Sequence, residues 1–412
     1  MAPPTLDPAA LDAVTANTAR ALLRLRGETQ SRALAELLVM RYRSLGPEQQ
    51  TTFFRLLLDE FGADRDGVDA AIAAYRDDPS EANTVALAEA SDSNRLPLFR
   101  ALNTAPGGID VLLDMRAELL RRRRMYPELE PVERDLRYLL NSWFNRGFLR
   151  LEQLDWTTPA HILESLIRYE AVHEIRGWDD LRRRLAADRR SFGFFHPALP
   201  DEPIIFVEVA LVKGLAESIQ DVIDAPTPDL PADTIPADAD TAIFYSITNC
   251  QAGLRGISFG SFLIKQVSER LQSELPQLHT FSTLSPIPGF ADWLLEHHGG
   301  IDTTDRHAME GACAEYLVGA RRRGLPADPV ARFHLRNGAC IERINWQGDT
   351  SAKGLEESHG LLVNYLYSGQ DLAENHDALT LDGIVTASPT VLGQVGTGVA
   401  PELYRVRGPI GR

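Results

Sequence analysis

The sequence predicts an α+β protein of two domains: a helical bundle over residues 1–145, followed by a mixed α/β domain over residues 146–412. Three observations predict this division. Apolar residues recur at helical spacing through the first part of the chain. Strand-like runs alternate with helical segments in the second part. The length of 412 residues is sufficient for two domains.

The helices of the first domain are predicted from amphipathic segments with recognisable ends. The segment "PEQQTTFFRLLLDEFG" has Pro47 at its start and Gly62 at its end, where helices favour these two residue types. "DRDGVDAAIAAYRDD" and "IDVLLDMRAELLRRRRM" show the same period. Because no strand-like run interrupts these segments, we expect a helical bundle.

The strands of the second domain are predicted from short β-branched and aromatic runs. They are "SFGFFHP", "EPIIFVEVAL", "TAIFYSITN", "LHTFSTLSP", "GACIERINW" and "GLLVNYLYS". Residues 224–240 are rich in proline and aspartate without periodicity, so they are predicted to form a surface loop. The residues after Gly369 are weakly patterned and receive no assignment.

Composition disfavours several classes of protein. A formal charge of −16 argues against general nucleic-acid binding. No apolar run approaches the roughly 18 residues that could span a bilayer, so no membrane association is expected. The three cysteines are widely separated and indicate neither a zinc site nor redox chemistry. The N-terminal segment lacks the features of a secretory signal, and a cytoplasmic location is therefore expected.

The segment "QAGLRGISFGSFLIKQV" is a candidate anion site. It follows a predicted strand and opens a predicted helix, and Gly253, Gly256 and Gly260 allow close approach of a ligand to the backbone. Phosphate is the expected ligand of such a helix N-terminus, and a plain tight turn is the alternative explanation of the glycines. The order strand, anion loop, helix, strand is also how the acetyltransferase-like (GNAT) fold holds the pyrophosphate of coenzyme A.

The segment "DPVARFHLRNGA" predicts a short helix that carries a candidate proton donor. Asp328 and Pro329 are typical of a helix start, and Asn337 and Gly338 of a helix end. His334 then falls in the last turn, where the helix dipole favours a protonated ring. It is either a local cap or core residue, or a proton donor whose pKa lies near the working pH.

The segment "FSTLSPIPGF" is a candidate serine site at the end of a strand. Pro286 favours an extended conformation for Ser285, and Pro288 and Gly289 then turn the chain into the next helix. The hydroxyl either satisfies neighbouring backbone groups or serves a ligand site, since such sites gather at strand ends in α/β proteins. Ser282 and Thr283 are predicted only as strand residues.

Several segments together resemble the malonyl-CoA decarboxylase family. They are "TAIFYSITNCQAGLRGISFGSFLIKQV", "FSTLSPIPGF", "DPVARFHLRNGA", "RINW" and "GLLVNYLY", in the family's order between Leu149 and Tyr367. The segment "EAVHEIRGWDDLRRRL" and the helical N-terminal half are also similar to that family. The resemblance implies a helical domain that mediates subunit association, followed by a GNAT-like catalytic domain.

The resemblance also implies functional residues. The family's catalytic serine corresponds to Ser285 and its catalytic histidine to His334, with Ser246 and Tyr367 as supporting residues of the active site. Its malonyl-CoA loop corresponds to Arg255, Gly256, Ile257, Ser258, Phe259, Gly260 and Ser261. Ser258 departs from the glutamate that the family often has in this loop, which puts any role of that carboxylate in doubt.

The implied activity is conversion of malonyl-CoA into acetyl-CoA and carbon dioxide without metal or organic cofactor, by a homodimer or homotetramer. We expect Ser285 to bond the malonyl carboxylate or the thioester oxygen, oriented by His334. His334 or a water that it holds would then protonate the enolate. Two alternatives remain open: an acyl-CoA-dependent N-acetyltransferase on the same fold, and a non-catalytic CoA-binding or scaffold protein.

Overall fold

The structure is a computed structural model. It describes residues 8–24, 28–170, 172–227, 236–257, 262–369, 371–396 and 398–408. The chain divides into two compact units. The first contains residues 1–148, 196–200 and 251–258, and the second contains residues 149–195, 201–250 and 259–412.

The first unit is largely helical, with an isolated β-bridge between His196 and Leu199. Its α-helices are α1 (Pro8–Arg24), α2 (Glu28–Arg43), α3 (Pro47–Glu60), α4 (Arg65–Asp77), α5 (Glu81–Ser91), α6 (Arg95–Asn103), α7 (Gly108–Arg122) and α8 (Glu130–Trp143). Helix α3 begins as the sequence predicts, with Pro47 in its first turn and the Gly46 N–H donating to Oε1 of Gln49 at 3.0 Å.

Two buried ion pairs lie within this helical unit. Arg95 donates to a carboxylate oxygen of Asp135 at 2.7 Å, and Arg116 lies 2.9 Å from Glu133. Around them, one apolar core contains leucine and phenylalanine side chains from α2, α3, α6, α7 and α8. Burial of this shared apolar surface stabilises the packed helices, since amphipathic helices of this length are marginal alone.

The second unit combines helices with a large sheet. Its helices are α9 (Ala160–Tyr169), α10 (Trp178–Arg184), α11 (Gln220–Ile223), α12 (Phe262–Glu274), α13 (Phe290–His298), α14 (Arg306–Gly319), α15 (Pro329–Arg336), α16 (Ala352–Ser358), α17 (Leu372–Asp382) and α18 (Pro389–Gln394). Its strands are β1 (Arg150–Leu154), β2 (Arg189–Phe195), β3 (Ile205–Val212), β4 (Thr241–Asn249), β5 (Thr280–Thr283), β6 (Arg321–Arg322), β7 (Leu325–Pro326), β8 (Cys340–Asn345), β9 (Leu362–Leu366), β10 (Val385–Ala387) and β11 (Tyr404–Val406).

The main sheet is mixed. Over the described residues it has nine strands in the order β1-β2-β3-β4-β5-β9-β8-β10-β11, and β6 and β7 form a separate hairpin. Strands β1 to β4 are antiparallel neighbours, whereas β4 and β5 are parallel. Helix α12 lies between β4 and β5 in the chain, as a parallel crossover connection requires.

The parallel strands β4 and β5 stay together only over a short distance. Residues 241–244 pair with residues 280–283, and the last bond between them runs from the Leu284 N–H to the Phe244 carbonyl at 3.0 Å. Ser285 then exchanges two backbone hydrogen bonds with Val363, each 2.9 Å long. The two strands therefore separate toward their carboxyl ends, which is where α/β sheets characteristically bind ligands.

The predicted fold class is confirmed: a helical N-terminal region is followed by a mixed α/β sheet region. The unassigned residues after Gly369 contain helices α17 and α18 and strands β10 and β11. Within the predicted loop at 224–240, residues 224–227 and 236–240 have neither helix nor strand, and residues 228–235 lie outside the described residues. The domain boundary at residue 145 stays a prediction.

The three cysteines are free thiols in buried positions. Burial raises the pKa of Cys250 and of Cys313, and it raises the pKa of Cys340 to about 12. Within the described residues, no group of three or more His, Cys, Asp or Glu side chains could hold a metal ion. No helix in the described part of the chain is long and apolar enough to cross a membrane.

Candidate active site

Ser285 lies just beyond the end of β5, where the chain leaves β4. Its backbone is held by Val363 of β9, and its side chain is almost fully buried. The Ser285 hydroxyl donates to Oγ1 of Thr283 at 2.8 Å. The sequence did not single out Thr283. A signal was available, because residues two apart on an extended chain face the same side.

Helix α15 brings His334 to this serine. The helix has the predicted ends: Asp328 accepts from the N–H groups of Val330 and Ala331, and Gly338 follows with φ of +84°. Nε2 of His334 lies 3.1 Å from Oγ of Ser285. The two residues predicted as catalytic therefore form a direct hydrogen bond, although 49 positions separate them in the chain.

Two tyrosines of β9 and its C-terminal extension surround the imidazole. The Tyr367 hydroxyl lies 2.8 Å from Nδ1, and the Tyr365 ring stacks on the imidazole with centroids 4.6 Å apart. Since the Ser285 hydrogen points to Thr283, Ser285 accepts a hydrogen bond from Nε2–H. Nδ1 is then the acceptor for the Tyr367 hydroxyl, which assigns one neutral tautomer to His334.

Burial keeps both His334 and Tyr367 uncharged. It lowers the pKa of His334 to about 3 and raises the pKa of Tyr367 well above its ordinary value. The prediction that the helix end would favour a protonated imidazole near the working pH is therefore wrong. Desolvation outweighs the helix dipole, whose effect is modest and confined to the last turn.

Ser246 belongs to a different hydrogen-bonded group. Its hydroxyl donates to Oε2 of Glu170 at 2.7 Å and lies 3.2 Å from Oγ1 of Thr248, which also donates to Glu170. The second oxygen of Glu170 accepts from the backbone N–H groups of Val172 and His173. The described bonds of Ser246 thus hold it on this carboxylate rather than on the serine–histidine pair.

The start of the glycine loop is anchored by Arg116. The guanidinium donates to the Gly253 carbonyl and, at 2.9 Å, to the Arg255 carbonyl. Position 253 requires glycine, because a Cβ atom there would lie 2.2 Å from the backbone oxygen of Leu113. Gly256 follows with φ of +77°, a conformation that favours glycine.

The rest of the loop has one further sequence feature. Ser258, Phe259, Gly260 and Ser261 lie outside the described residues. Residues 256–260 read GISFG and match the GxSxG pattern of a nucleophile elbow. Such an elbow places its serine directly at the end of a strand, whereas β4 ends at Asn249 and a helical turn at 252–254 comes before the serine. The described residues 249–257 therefore do not lead from the strand directly into the serine, as that elbow would require.

Together these features define a class of protein. A mixed sheet whose parallel strands β4 and β5 separate, with a buried serine–histidine pair beside the separation, is typical of an α/β enzyme. Matches to protein-family models identify the family. The malonyl-CoA decarboxylase C-terminal domain matches residues 147–305 and 296–403, and the malonyl-CoA decarboxylase N-terminal domain matches residues 61–144. The chain belongs to the malonyl-CoA decarboxylase family.

Individual relatives agree with this family. Mitochondrial malonyl-CoA decarboxylase of Anser anser anser is 34% identical over 421 residues, covering 87% of this chain and 82% of the relative. The crystal structure of malonyl-CoA decarboxylase from Rhodopseudomonas palustris is 44% identical, with a TM-score of 0.87 over 94% of this chain and 99% of that one. The Agrobacterium vitis structure of the same name is 45% identical, with a TM-score of 0.86 over 93% and 100%. The predicted enzyme class, a carboxy-lyase, is confirmed.

Proposed function

We propose that this chain converts malonyl-CoA into acetyl-CoA and carbon dioxide, with Ser285 and His334 as its catalytic residues. The proposal is supported above all by the 3.1 Å distance between Oγ of Ser285 and Nε2 of His334. Both side chains are only 4% exposed, so a substrate that reaches them is largely removed from water. Family membership supports the choice of malonyl-CoA as the substrate.

The chemistry requires a stabilised enolate. When the bond between the α-carbon and the carboxylate breaks, its electron pair moves into the thioester and carbon dioxide leaves. A hydrogen-bond donor aimed at the thioester oxygen stabilises the charge that develops there. Ser285 is that donor in our proposal, and the buried surroundings strengthen its hydrogen bond to the oxygen. Loss of a charged carboxylate is also favoured in a site that solvates it poorly.

His334 acts as a neutral imidazole in this mechanism. Because burial lowers its pKa to about 3, it is not a resident imidazolium at neutral pH. Its Nε2–H holds the Ser285 oxygen, and its Nδ1 accepts from Tyr367 at 2.8 Å. The enolate takes its proton at the α-carbon through this hydroxyl and imidazole pair, and solvent restores the proton that was used.

The substrate-binding residues are part of the proposal. Ser246 and Tyr367 would border the malonyl group, and the backbone of residues 255–261 would hold the coenzyme A moiety. Arg116 supports this role of the loop, because it fixes the Arg255 carbonyl at the start of the segment. The coenzyme A thioester is the substrate, and every proposed step uses it or the protein's own side chains, so the proposal includes no cofactor.

The test is incubation with malonyl-CoA alone. Acetyl-CoA and carbon dioxide should appear in equal amounts without any added acceptor. Ser285→Ala and His334→Asn should each lower kcat at least about 100-fold. His307→Asn, an exposed histidine on α14, is the matched control and should retain full activity.

Other outcomes would overturn the proposal. Turnover that requires an amine acceptor would favour the N-acetyltransferase alternative. Binding of coenzyme A without turnover would favour a non-catalytic role. Full activity in both Ser285→Ala and His334→Asn would show that these residues are not catalytic. The assignment of the chain to its family would not be affected.

Two further expectations extend the proposal. Residues 1–145 would mediate self-association into a homodimer or homotetramer, as the family resemblance implies, and light scattering on the full chain measures the resulting mass. The cytoplasmic location stays a prediction, which cell fractionation tests.

A further inference from the structure

We propose that Thr283 is a positioning residue that supplies Ser285 with a hydrogen bond when substrate is bound. This inference rests on the proposed function, because it acts through Ser285. Thr283 is the last residue of β5 and is fully buried. Its Oγ1 lies 2.8 Å from Oγ of Ser285, closer than Nε2 of His334 at 3.1 Å.

The Thr283 hydroxyl is itself fixed by the neighbouring strand. The backbone N–H of Tyr365, in β9, donates to Oγ1 of Thr283 at 3.1 Å. The Thr283 carbonyl accepts from the Asn364 side chain at 2.8 Å, which ties the same residue to β9 a second time. Thr283 therefore offers Ser285 a partner whose place is determined by sheet pairing.

The Ser285 hydroxyl needs a further hydrogen-bond donor once it donates to substrate. A serine hydroxyl has one hydrogen and two acceptor positions. Without substrate, the Ser285 hydrogen is directed to Thr283, and Nε2–H of His334 occupies one acceptor position. When the Ser285 hydrogen turns to a substrate oxygen, the second acceptor position takes its place and faces Thr283.

Thr283 can fill that position without moving. In its described hydrogen bonds the Thr283 oxygen only accepts, from Tyr365 and Ser285, so among the described residues its own hydrogen is free to turn to Ser285. Ser285 then accepts from both Thr283 and His334 while it donates to the substrate. Donors arranged in series polarise one another, so this arrangement makes Ser285 a stronger donor to a developing enolate.

The adjacent serine provides a matched control. Ser282 is also fully buried on β5, and its hydroxyl donates to the Tyr365 carbonyl at 3.1 Å. It therefore contacts the same residue of β9 as Thr283 does. Its described hydrogen bonds do not reach Ser285, because successive residues of a strand face opposite sides and Ser282 is three positions from Ser285.

The experiment compares Thr283→Val, Thr283→Ser and Ser282→Ala with the unaltered enzyme, using malonyl-CoA as substrate. Thr283→Val keeps the shape without the hydroxyl and should lower kcat about 10- to 100-fold with little change in KM. Thr283→Ser keeps the hydroxyl and should restore most of kcat. Ser282→Ala should keep kcat within about twofold. Equal losses in Thr283→Val and Ser282→Ala, or an unchanged kcat in Thr283→Val, would overturn the inference.

A double variant separates this inference from the proposed function. In the Ser285→Ala background, Thr283→Val should cause no further loss, because its partner is already gone. Full activity of Ser285→Ala would defeat the proposed function itself. An inactive Ser285→Ala beside a fully active Thr283→Val would defeat only the role of Thr283. If Thr283→Val fails to fold, Thr283→Ala takes its place, with acetyl-CoA binding as the check that the site is intact.

Discussion

Asp328 accepts a hydrogen bond from the backbone N–H of Gly289 at 3.3 Å while it caps helix α15. Gly289 ends the turn that begins at Ser285, and α15 carries His334. A single buried carboxylate therefore connects the segment of the candidate serine with the helix of the candidate histidine. The described hydrogen bonds of Asp328 go to neither Ser285 nor His334. They connect the two segments that carry these residues, and so help to fix the distance between them.

Substitution of Asp328 should affect both stability and turnover. Asp328→Ala removes a helix cap and the bond to Gly289, so we expect a loss of about 2 kcal/mol in the free energy of unfolding. We also expect kcat to fall about tenfold, since small displacements of paired groups are costly. Asp305→Ala is the control. Asp305 caps α14 through two equivalent bonds, and its loss should reduce stability by about 1 kcal/mol with kcat unchanged. Equal kcat in both variants would contradict the connecting role of Asp328.

Gly338 should tolerate no side chain. It has φ of +84°, and a Cβ atom there would lie 2.2 Å from the backbone oxygen of Leu372. Gly338→Ala should reduce the free energy of unfolding by about 3 kcal/mol, combining backbone strain with displacement of α17. Gly324, at φ of +79° with nothing near its Cβ position, is the control and should lose only about 1 kcal/mol as alanine. Urea unfolding measures both, and similar losses would refute the steric argument.

The low pKa of His334 predicts a pH dependence of stability. The folded ring has a pKa of about 3, whereas the unfolded ring keeps its ordinary value of 6.5. As pH falls below 6.5, the unfolded chain binds a proton at this ring that the folded chain does not. The free energy of unfolding therefore decreases as pH falls from 6.5 to 3. Between pH 7 and pH 5 the loss is about 2 kcal/mol. His334→Asn should lack this component, so parallel urea-unfolding profiles for the two proteins would contradict the prediction.

Arg116 should affect substrate affinity more than turnover. It holds the carbonyls of Gly253 and Arg255 at the start of the proposed coenzyme A loop. Arg116→Met should raise KM for malonyl-CoA about tenfold with a smaller effect on kcat, since loop order contributes to binding. Arg95→Met is the control, because Arg95 is also buried and also pairs with a carboxylate, that of Asp135. A KM that rises equally in both variants would show a general loss of stability instead.

Local signals in the sequence were sufficient for several elements. Asp328, Pro329 and Gly338 mark the ends of α15 through their own backbone preferences, and the structure confirms those ends. Strand β4 covers the same residues as the run "TAIFYSITN". In both cases the determining information lies within a few residues of the element itself.

Features that depend on distant contacts were not predictable in this way. The bond between Tyr365 and Thr283 joins residues 82 positions apart, and only the pairing of β5 with β9 brings them together. The low pKa of His334 arises from burial, which the sequence of its helix does not reveal. Strand β11 has only three residues and forms by pairing with β10, so its own residues carry little strand signal. The catalytic roles of Ser285 and His334 stay predictions.

The burial of all three cysteines has a practical consequence. Their raised pKa values and lack of exposure make them slow toward thiol-specific reagents in the folded state. A cysteine introduced at an exposed position would therefore react first, without prior removal of the native thiols. Fluorescent or spin labels attached in pairs at such positions could report distances within this enzyme during turnover, in a chain that otherwise keeps its natural sequence.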